Sequence, residues 1–502
     1  DGHALAISAP VSSVWVNPQE LELGQHKKQF AKLLGLKTKA LDKKLKTVAS
    51  RRFVYLRRHM DPQVAAMIDQ LQIPGVYLQK EYRRYYPDGE VAAHLVGFTN
   101  IDDEGQEGLE LALNERLKGT PGVERVLRDG KRRMVKHVDD IRAPISGQDV
   151  RLTIDRRLQY LAYRELKAAV AQQKATSGSL VLLNPETGHV LAVANQPAFN
   201  PNDRSKIKAS HVRNRAFVDV FEPGSTMKPF TVAAGMESGV FDQSTIIDTN
   251  PGFMRVGRSQ VRDHRNYGEI DLATLLLKSS NVASAKIALG IAPERLWGLL
   301  NGLGFGRLVG SGFPGEARGK LTRYEQWRPI ETATLSFGYG LSSSVLQLAH
   351  AYTAIANDGF LEPVSLVQEG QELEKTRVMS RWVAVSLRDM MKGVTSRSGT
   401  APRATVHGYS VAGKTGTVKK AIAGGYAEDK YLGIFAGMAP ADDPKLVMVV
   451  VIDEPKAGDY YGGLVAAPVF SRVMAGALRL MNVAPDNLEN ATVLAAFDGG
   501  AQ

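Results

Sequence analysis

"FEPGSTMKPF", residues 221–230, sets a serine directly after a glycine and a lysine three positions further on. Pro223-Gly224 breaks regular structure, and "STMKPFTVAAGMESG", residues 225–239, reads as a helix closed by Gly239. Residues three apart on a helix share a face, with Cβ atoms roughly 5–6 Å apart. Ser225 and Lys228 are therefore expected to bring a hydroxyl and an amine together within one turn. On its own, S-x-x-K also describes a capping serine followed by an exposed lysine, so the rest of the chain has to decide.

At 502 residues the chain exceeds one ordinary domain and can bury at least two cores. Its 44% apolar and 23% charged content is that of a globular protein, which excludes disordered and collagen-like classes. The absence of cysteine excludes a disulfide framework and any thiolate metal site. No apolar run reaches the roughly 18 residues of a membrane span; the longest, Leu446 to Ile452, has strand length. No leader peptide is recognisable, and the chain as given is expected not to cross a membrane. From Lys27 to Arg58 there are twelve Lys or Arg and one acid, Asp42, so this segment matches the whole net charge of +11. Such a run fits a patch for nucleic acid or an anionic surface. Leu33, Leu34, Leu36, Leu41 and Leu45, threaded through it, fit instead the wet face of small amphipathic helices, the reading we carry forward.

The first 150 residues mix short strand-like and helix-like pieces, and "APISGQD", 143–149, is a Pro/Gly-containing connection taken as a domain boundary. Beyond it, "VRLTID" alternates as a strand, and Leu158 to Val170 shows helical periodicity. "SGSLVLLNPETGHVLAVANQ" is two apolar runs around Pro185-Glu186-Thr187-Gly188, a hairpin signal. "YSVAGKTGTV", "YLGIFAGMAP" and "KLVMVVVID" are further strand candidates, and "APVFSRVMAGALRLM" a helix to cover them. Strands at both ends with helices between predict an α+β domain, an antiparallel sheet covered by helices. The expected division is 1–149, 150–485 and a patternless tail, 486–502. "GLGFGRLVG" and "FGYGLS" are glycine-rich but lack phosphate-loop spacing and read as loops.

Two further fragments share the logic of Ser225. "KSSN" contains Ser279 and Asn281, an S-x-N, and "GKTGT" places Lys414, Thr415, Gly416 and Thr417 on a predicted strand. S-x-x-K, S-x-N and K-T-G in this order are the set of serine β-lactamases and penicillin-binding proteins. With "DVFEPGSTMKPF", "KSSNVASAKIA", "FGYGLS", "AGKTGT" and "YYGGLVAAPVFS", the chain resembles a class B penicillin-binding protein. Among these it is most similar to the division-specific D,D-transpeptidases of Gram-negative bacteria. "RRYYPDGEVAAHLVGFTNIDDEGQEGLE", 83–110, resembles their non-catalytic pedestal domain.

Serine is a weak nucleophile at its free pKa and needs an adjacent base. Lys228 serves only if neutral, and moving a free lysine from near 10.4 to about 7 takes roughly 3 units, or about 4 kcal/mol. Burial, a helix N-terminus and a second cation, Lys414, are the available means. The nucleophile elbow G-x-S-x-G is absent. Between Asn281 and Lys414 no glutamate is followed by asparagine three or four residues on, the arrangement a class A-like β-lactamase uses to activate deacylating water. An acyl-enzyme that waits for an amine is the expectation, and with it lasting acylation by β-lactams. A hydrolytic carboxypeptidase or β-lactamase, or a sensor that acylates without turnover, are the alternatives.

The resemblance further implies that Ser279 relays a proton to the departing D-alanine with Lys414 tuning it, and that Asn281 holds Lys228 and the peptide amide. It implies that Thr415 and Thr417 bind the terminal carboxylate, that Gly416 lets the backbone approach the ligand, and that the N–H groups of Ser225 and Thr417 form an oxyanion hole. Tyr339, Tyr431, Tyr460 and Tyr461 match the aromatic walls of the cleft, and His264 stands where relatives carry an aliphatic residue. No cofactor and no metal are expected, since H-E-x-x-H is absent. Expected partners are peptidoglycan stem peptides, β-lactams, a lipid-linked-precursor glycosyltransferase and other division proteins, with no nucleic acid. The expected place is the periplasmic face of the inner membrane, through an N-terminal helix that this chain does not include.

Overall fold

A computed structural model describes residues 2–128, 134–368, 374–422 and 424–487. They form two compact units, a smaller one of residues 4–89 with 96–147 and a larger one of residues 90–95 and 148 onward, to which residues 2 and 3 also belong.

In the smaller unit, strand β1 (Ile7–Val16), helices α1 (Lys27–Leu33) and α2 (Thr38–Thr47), strand β2 (Val54–Met60), helix α3 (Pro62–Asp69) and strand β3 (Val76–Tyr85) follow one another. The sheet is antiparallel in the order β2-β1-β3. Alternation along β1 turns Val14 and Val16 inward, where they meet Phe30, Leu34, Leu41, Leu56 and Ile68. Leu34 and Leu41 are buried and Leu33, Leu36 and Leu45 partly so, while the lysines between them lie outside, as their spacing predicts. On the other face of the sheet Arg58 binds both oxygens of Glu81, at 2.9 and 3.2 Å, and Asp102 at 2.6 Å.

In the larger unit, helix α4 (Arg156–Gln172) leads into the hairpin β4 (Ser177–Leu183) and β5 (Val190–Gln196). Then come helices α5 (Lys228–Glu237), α6 (Leu272–Lys278), α7 (Asn281–Gly290) and α8 (Val345–Ala356). Strands β6 (Ala412–Ile422), β7 (Gly425–Ala439) and β8 (Leu446–Asp453) and helix α9 (Ala467–Leu480) follow. The five strands make one antiparallel sheet, β6-β7-β8-β4-β5, so the chain's distant strands meet where β8 pairs with β4, Val451 opposite Ser179. Helices α4 and α9 cover one face, where Phe470 packs on Phe435 at 4.7 Å. Buried α8 lies on the other, with α5 and α7 beyond.

One expected strand is absent. Val150–Asp155 makes only an isolated bridge, Leu152 to Val367. Its alternation serves other ends: the Thr153 hydroxyl donates to Val190 O and Ser365 O, and Asp155 caps α4 by accepting from the N–H of Arg157 and Leu158. Of the expected tail, Asp486 and Asn487 are tied to Ser410 and Gly408, and residues 488–502 lie outside the described residues.

Candidate active site

The nucleophile candidate sits on a clamped turn. Gly224 to Met227 is one 3₁₀ turn, and α5 starts at Lys228 with Pro229 at its second position, where a missing N–H costs nothing. Gly224 has φ +57°, and a Cβ there would come within 2.7 Å of Val418 on β6 and a side chain on Gly338 would strike the Gly224 backbone. Phe221 exchanges backbone hydrogen bonds with Ser343, and the buried Tyr352 hydroxyl donates to Thr226 O at 2.8 Å. The backbone of Ser225 is thus held from three sides while its side chain remains half-exposed.

Both lysines are fully buried. Lys228 Nζ reaches the Ser279 carbonyl oxygen at 2.5 Å, Ser279 Oγ at 3.0 Å and Asn281 Oδ1 at 2.8 Å. Lys414 Nζ approaches the same Ser279 Oγ from β6, at 3.0 Å. Among the described residues Ser225 Oγ is not a hydrogen-bond partner of Lys228, so the expected hydroxyl–amine contact gives way here to three acceptors on the α6–α7 connection. Ser279 achieves its double grip through an unusual backbone: it ends α6 at φ +59°, a left-handed conformation uncommon outside glycine. That bend aims its carbonyl and its hydroxyl at one amine.

Burial pushes the Lys228 amine well below the ordinary lysine range, the charge of Lys414 adds to the shift, and Asp263 opposes it. Burial also lowers Lys414, to about 7. Lys228 Nζ donates to Ser279 O, Ser279 Oγ and Asn281 Oδ1, and Ser279 Oγ accepts from Lys414 Nζ as well, so one hydroxyl oxygen links the two amines.

Strand β6 carries the K-T-G residues on alternate faces. Lys414, Gly416 and Val418 look toward the serine turn, and a Cβ at Gly416 would lie 3.1 Å from Pro223 O. Thr415 and Thr417 look the other way: Thr415 Oγ1 is 2.9 Å from Thr400 Oγ1, and Thr417 Oγ1 accepts from Gly462 N at 3.0 Å. Tyr431, Tyr460 and Tyr461 stack as one wall, with centroids 4.1 and 4.5 Å apart. Tyr339 does not join it. Its ring meets Tyr426 edge-on at 5.8 Å and Phe337 at 6.0 Å. His264 is exposed and, among the described residues, bonded to none of the others.

Its neighbour Asp263 escaped the sequence reading and matters more. At the end of the hairpin Phe253–Val256/Ser259–Arg262, it accepts from Asn281 N at 2.5 Å, Val282 N at 3.0 Å and Ser280 Oγ at 2.6 Å. It caps α7 and sets the position of Asn281, whose Nδ2 is held by Arg262 O at 2.9 Å. Tyr426 and Glu222 were missed too: burial first, then the adjacent Glu222 carboxylate, push the Tyr426 phenol up, and Glu222 also accepts from Gly340 N at 2.8 Å. No local pattern announces these residues, because their partners are distant in sequence.

Among the described residues the two buried lysines form no ion pair and meet at Ser279, beside the serine turn and at the edge of the five-stranded sheet. The family model of the penicillin binding protein transpeptidase domain matches residues 178–475, and that of the penicillin-binding protein dimerisation domain matches 1–152. The chain is 41% identical over 498 residues to the probable peptidoglycan D,D-transpeptidase PbpC of Pseudomonas aeruginosa, covering 99% of this chain and 88% of that protein. It is 41% identical over 495 residues to the peptidoglycan D,D-transpeptidase FtsI of Escherichia coli, covering 97% and 83%. The solved transpeptidase domain of Burkholderia pseudomallei penicillin-binding protein 3 superposes with a TM-score of 0.62 at 40% identity, covering 67% of this chain and 98% of that one. The chain belongs to the class B penicillin-binding proteins.

Proposed function

We propose that the protein cross-links peptidoglycan during septal wall synthesis through an acyl-enzyme on Ser225. It is a serine-type D,D-transpeptidase, and the observation that carries the residue assignment is the shared hold of two buried, deprotonatable lysines on Ser279.

The Ser225 oxygen attacks the carbonyl of a D-Ala–D-Ala bond while its proton passes to the lone pair of Lys228. The new C–O bond forms, the C–N bond breaks, and Ser279 gives its proton to the departing D-alanine amine and is reprotonated from Lys228. Lys414 steadies Ser279 as charge moves through it. The backbone N–H groups of Ser225 and Thr417 hold the oxyanion, usually a large share of acyl-transfer catalysis. Thr415 and Thr417 receive the terminal carboxylate by turning from their present partners, and Asn281 holds the peptide amide with Lys228. Tyr431, Tyr460 and Tyr461 form one side of the cleft, Tyr339 with Tyr426 another, and His264 stands at the rim. An amine from a second stem peptide then attacks the ester, loses a proton, and releases Ser225. A β-lactam acylates the same oxygen but its opened ring remains attached, so turnover stops.

We place the pedestal at 1–149 and the catalytic domain at 150–485. The working position inferred for it is the periplasmic face of the inner membrane, beside a glycosyltransferase acting on lipid-linked precursors and other division proteins. Ser225→Ala should remove labelling by a fluorescent penicillin while the far-UV circular dichroism is unchanged. Mass spectrometry of the parent protein after penicillin treatment should find the adduct on the peptide containing Ser225. An adduct elsewhere, or labelling that survives in the variant, overturns the assignment.

A further inference from the structure

The smaller unit holds a concentration of charge that acyl transfer does not use. Helices α1 and α2 bury their apolar faces, Phe30, Ala31, Leu34 and Leu41 among them, and present Lys28, Lys32, Lys37, Lys39, Lys43 and Lys46 to solvent. Among the described residues the one ion pair within these helices is Lys27–Asp42, at 2.7 Å. Two exposed arginines, Arg51 and Arg52, follow α2 and lead to Phe53, which is 47% exposed and lies against Trp15 at 4.7 Å. Next to the helices opens a recess of about 250 Å³ lined by Pro18, Leu21, Leu23, Leu45 and Ala49, with Lys27 in the same wall.

We propose that this face binds the surface of an anionic phospholipid bilayer, with the lysines and arginines on headgroup phosphates and Phe53 at the level of the headgroups.

Three features select lipid over an acidic protein. Lysine is depleted in protein–protein interfaces, where arginine and aromatic anchors carry the affinity, whereas this face is mostly lysine on flexible stems. The apolar sides of α1 and α2 are already spent on the core, so no helix stripe remains to fill a partner's groove. The recess has an apolar lining that suits part of an acyl chain, and the exposed lysines of α1 and α2 stand beside it for the phosphate. Each Lys or Arg near an anionic membrane contributes about 1 kcal/mol, and the attraction fades within a Debye length of ~10 Å at 0.1 M salt.

The full chain would be tested by flotation with vesicles of phosphatidylcholine alone and vesicles containing phosphatidylglycerol, at low and high salt. Binding is expected only to the anionic vesicles, falling steeply with salt. The triple variant Lys37→Glu, Lys39→Glu, Lys43→Glu should weaken it at least about 100-fold. The same reversals at Lys174, Lys208 and Lys375 in the larger unit, which match the change in net charge, should weaken it only slightly. Penicillin labelling of Ser225 in each variant reports that the protein is intact. No binding of the parent to anionic vesicles, equal loss in both triple variants, or tighter binding to a soluble polyglutamate than to the vesicles would each overturn the proposal, the last assigning the face to an acidic protein.

Discussion

Two clusters in this molecule bury cationic side chains, and they treat the charge in opposite ways. In the pedestal unit Arg58 is surrounded by carboxylates. Burial by itself would lower its pKa, but the bonds to Glu81 and Asp102 outweigh this and hold it above the arginine range. Glu81 responds in kind: burial lifts it, and the bonds from Arg58 and Ser13 bring it below its ordinary value. In the catalytic unit, among the described residues, Lys228 and Lys414 are bonded only to hydroxyl, carbonyl and amide oxygens, and each is lowered. Charge paired with carboxylates gives a fixed structural joint; a lysine buried without such a pair gives up its proton more readily. The residue type matters as well, because arginine is charged at any accessible pH and lysine yields when desolvated.

The largest break in this contrast is deletion of the base. Lys228→Ala should slow acylation of Ser225 by about 10²–10⁴-fold, the usual contribution of a positioned proton acceptor, in stopped-flow measurements with a chromogenic cephalosporin. A near-normal rate would show that another group takes the proton. Next is conversion of the catalytic cluster into the pedestal type. Asn281→Asp puts a carboxylate where Oδ1 now sits 2.8 Å from Lys228 Nζ. An opposite charge at that distance favours the ammonium, so the rising limb of the acylation-rate profile should move to higher pH by about 1 unit or more. An unmoved limb would detach that limb from Lys228.

The smallest effects concern stability, and their signs should differ. Lys414 binds its proton less tightly folded, at about 7, than unfolded, near the ordinary 10.5. Below pH 7 the fold bears the full cost of a buried charge, and as pH rises from 7 toward 10.5 the unfolded chain holds more protons and stability increases. Lys414→Met should therefore stabilise the protein by about 1–4 kcal/mol at pH 6, with the gain shrinking toward pH 10, while abolishing turnover. Arg58→Met should cost about 2 kcal/mol, since it strands Glu81 in a partly wet site. The Glu81 contribution is present above the unfolded carboxylate pKa and is lost as pH falls through its depressed folded value. Urea titrations across pH check both, and equal signs would remove the distinction between the clusters.

Much of the fold was legible because its signals are local. The β4–β5 hairpin follows from two apolar runs around Pro185 to Gly188, and α4 from its 3.6-residue period. The three motifs were legible because each is a short contiguous pattern, and the fold brings Lys228, Ser279, Asn281 and Lys414 from all three together. Val150–Asp155 misled because alternation in a short segment equally describes a capping residue and a side chain that anchors neighbouring carbonyls. Asp263 was invisible for a related reason. Its work is done on α7, 17 residues away at Ser280, and no spacing rule links a hairpin end to a helix start. That Tyr339 meets Phe337 and Tyr426, apart from the stack of Tyr431, Tyr460 and Tyr461, was likewise not legible, since ring contacts follow from the fold and not from spacing.

Among the described residues, strand β6 has a partner on one side only, with Lys414 opposite Ala436 and Gly416 opposite Ile434 on β7. A slip by one residue along that pairing would exchange the two faces of the strand and turn Lys414 away from Ser279, putting a threonine in its place. Rows of backbone hydrogen bonds normally count as scaffolding, but here their alignment decides whether one amine or two reach Ser279. The irregular pairing between Lys419 and Ala421 falls beyond Val418, so it leaves the alignment of Lys414 to Thr417 undisturbed. A substitution that shifts the regular register between Ala412 and Val418 can therefore silence the enzyme by misalignment alone, with every reacting group still present.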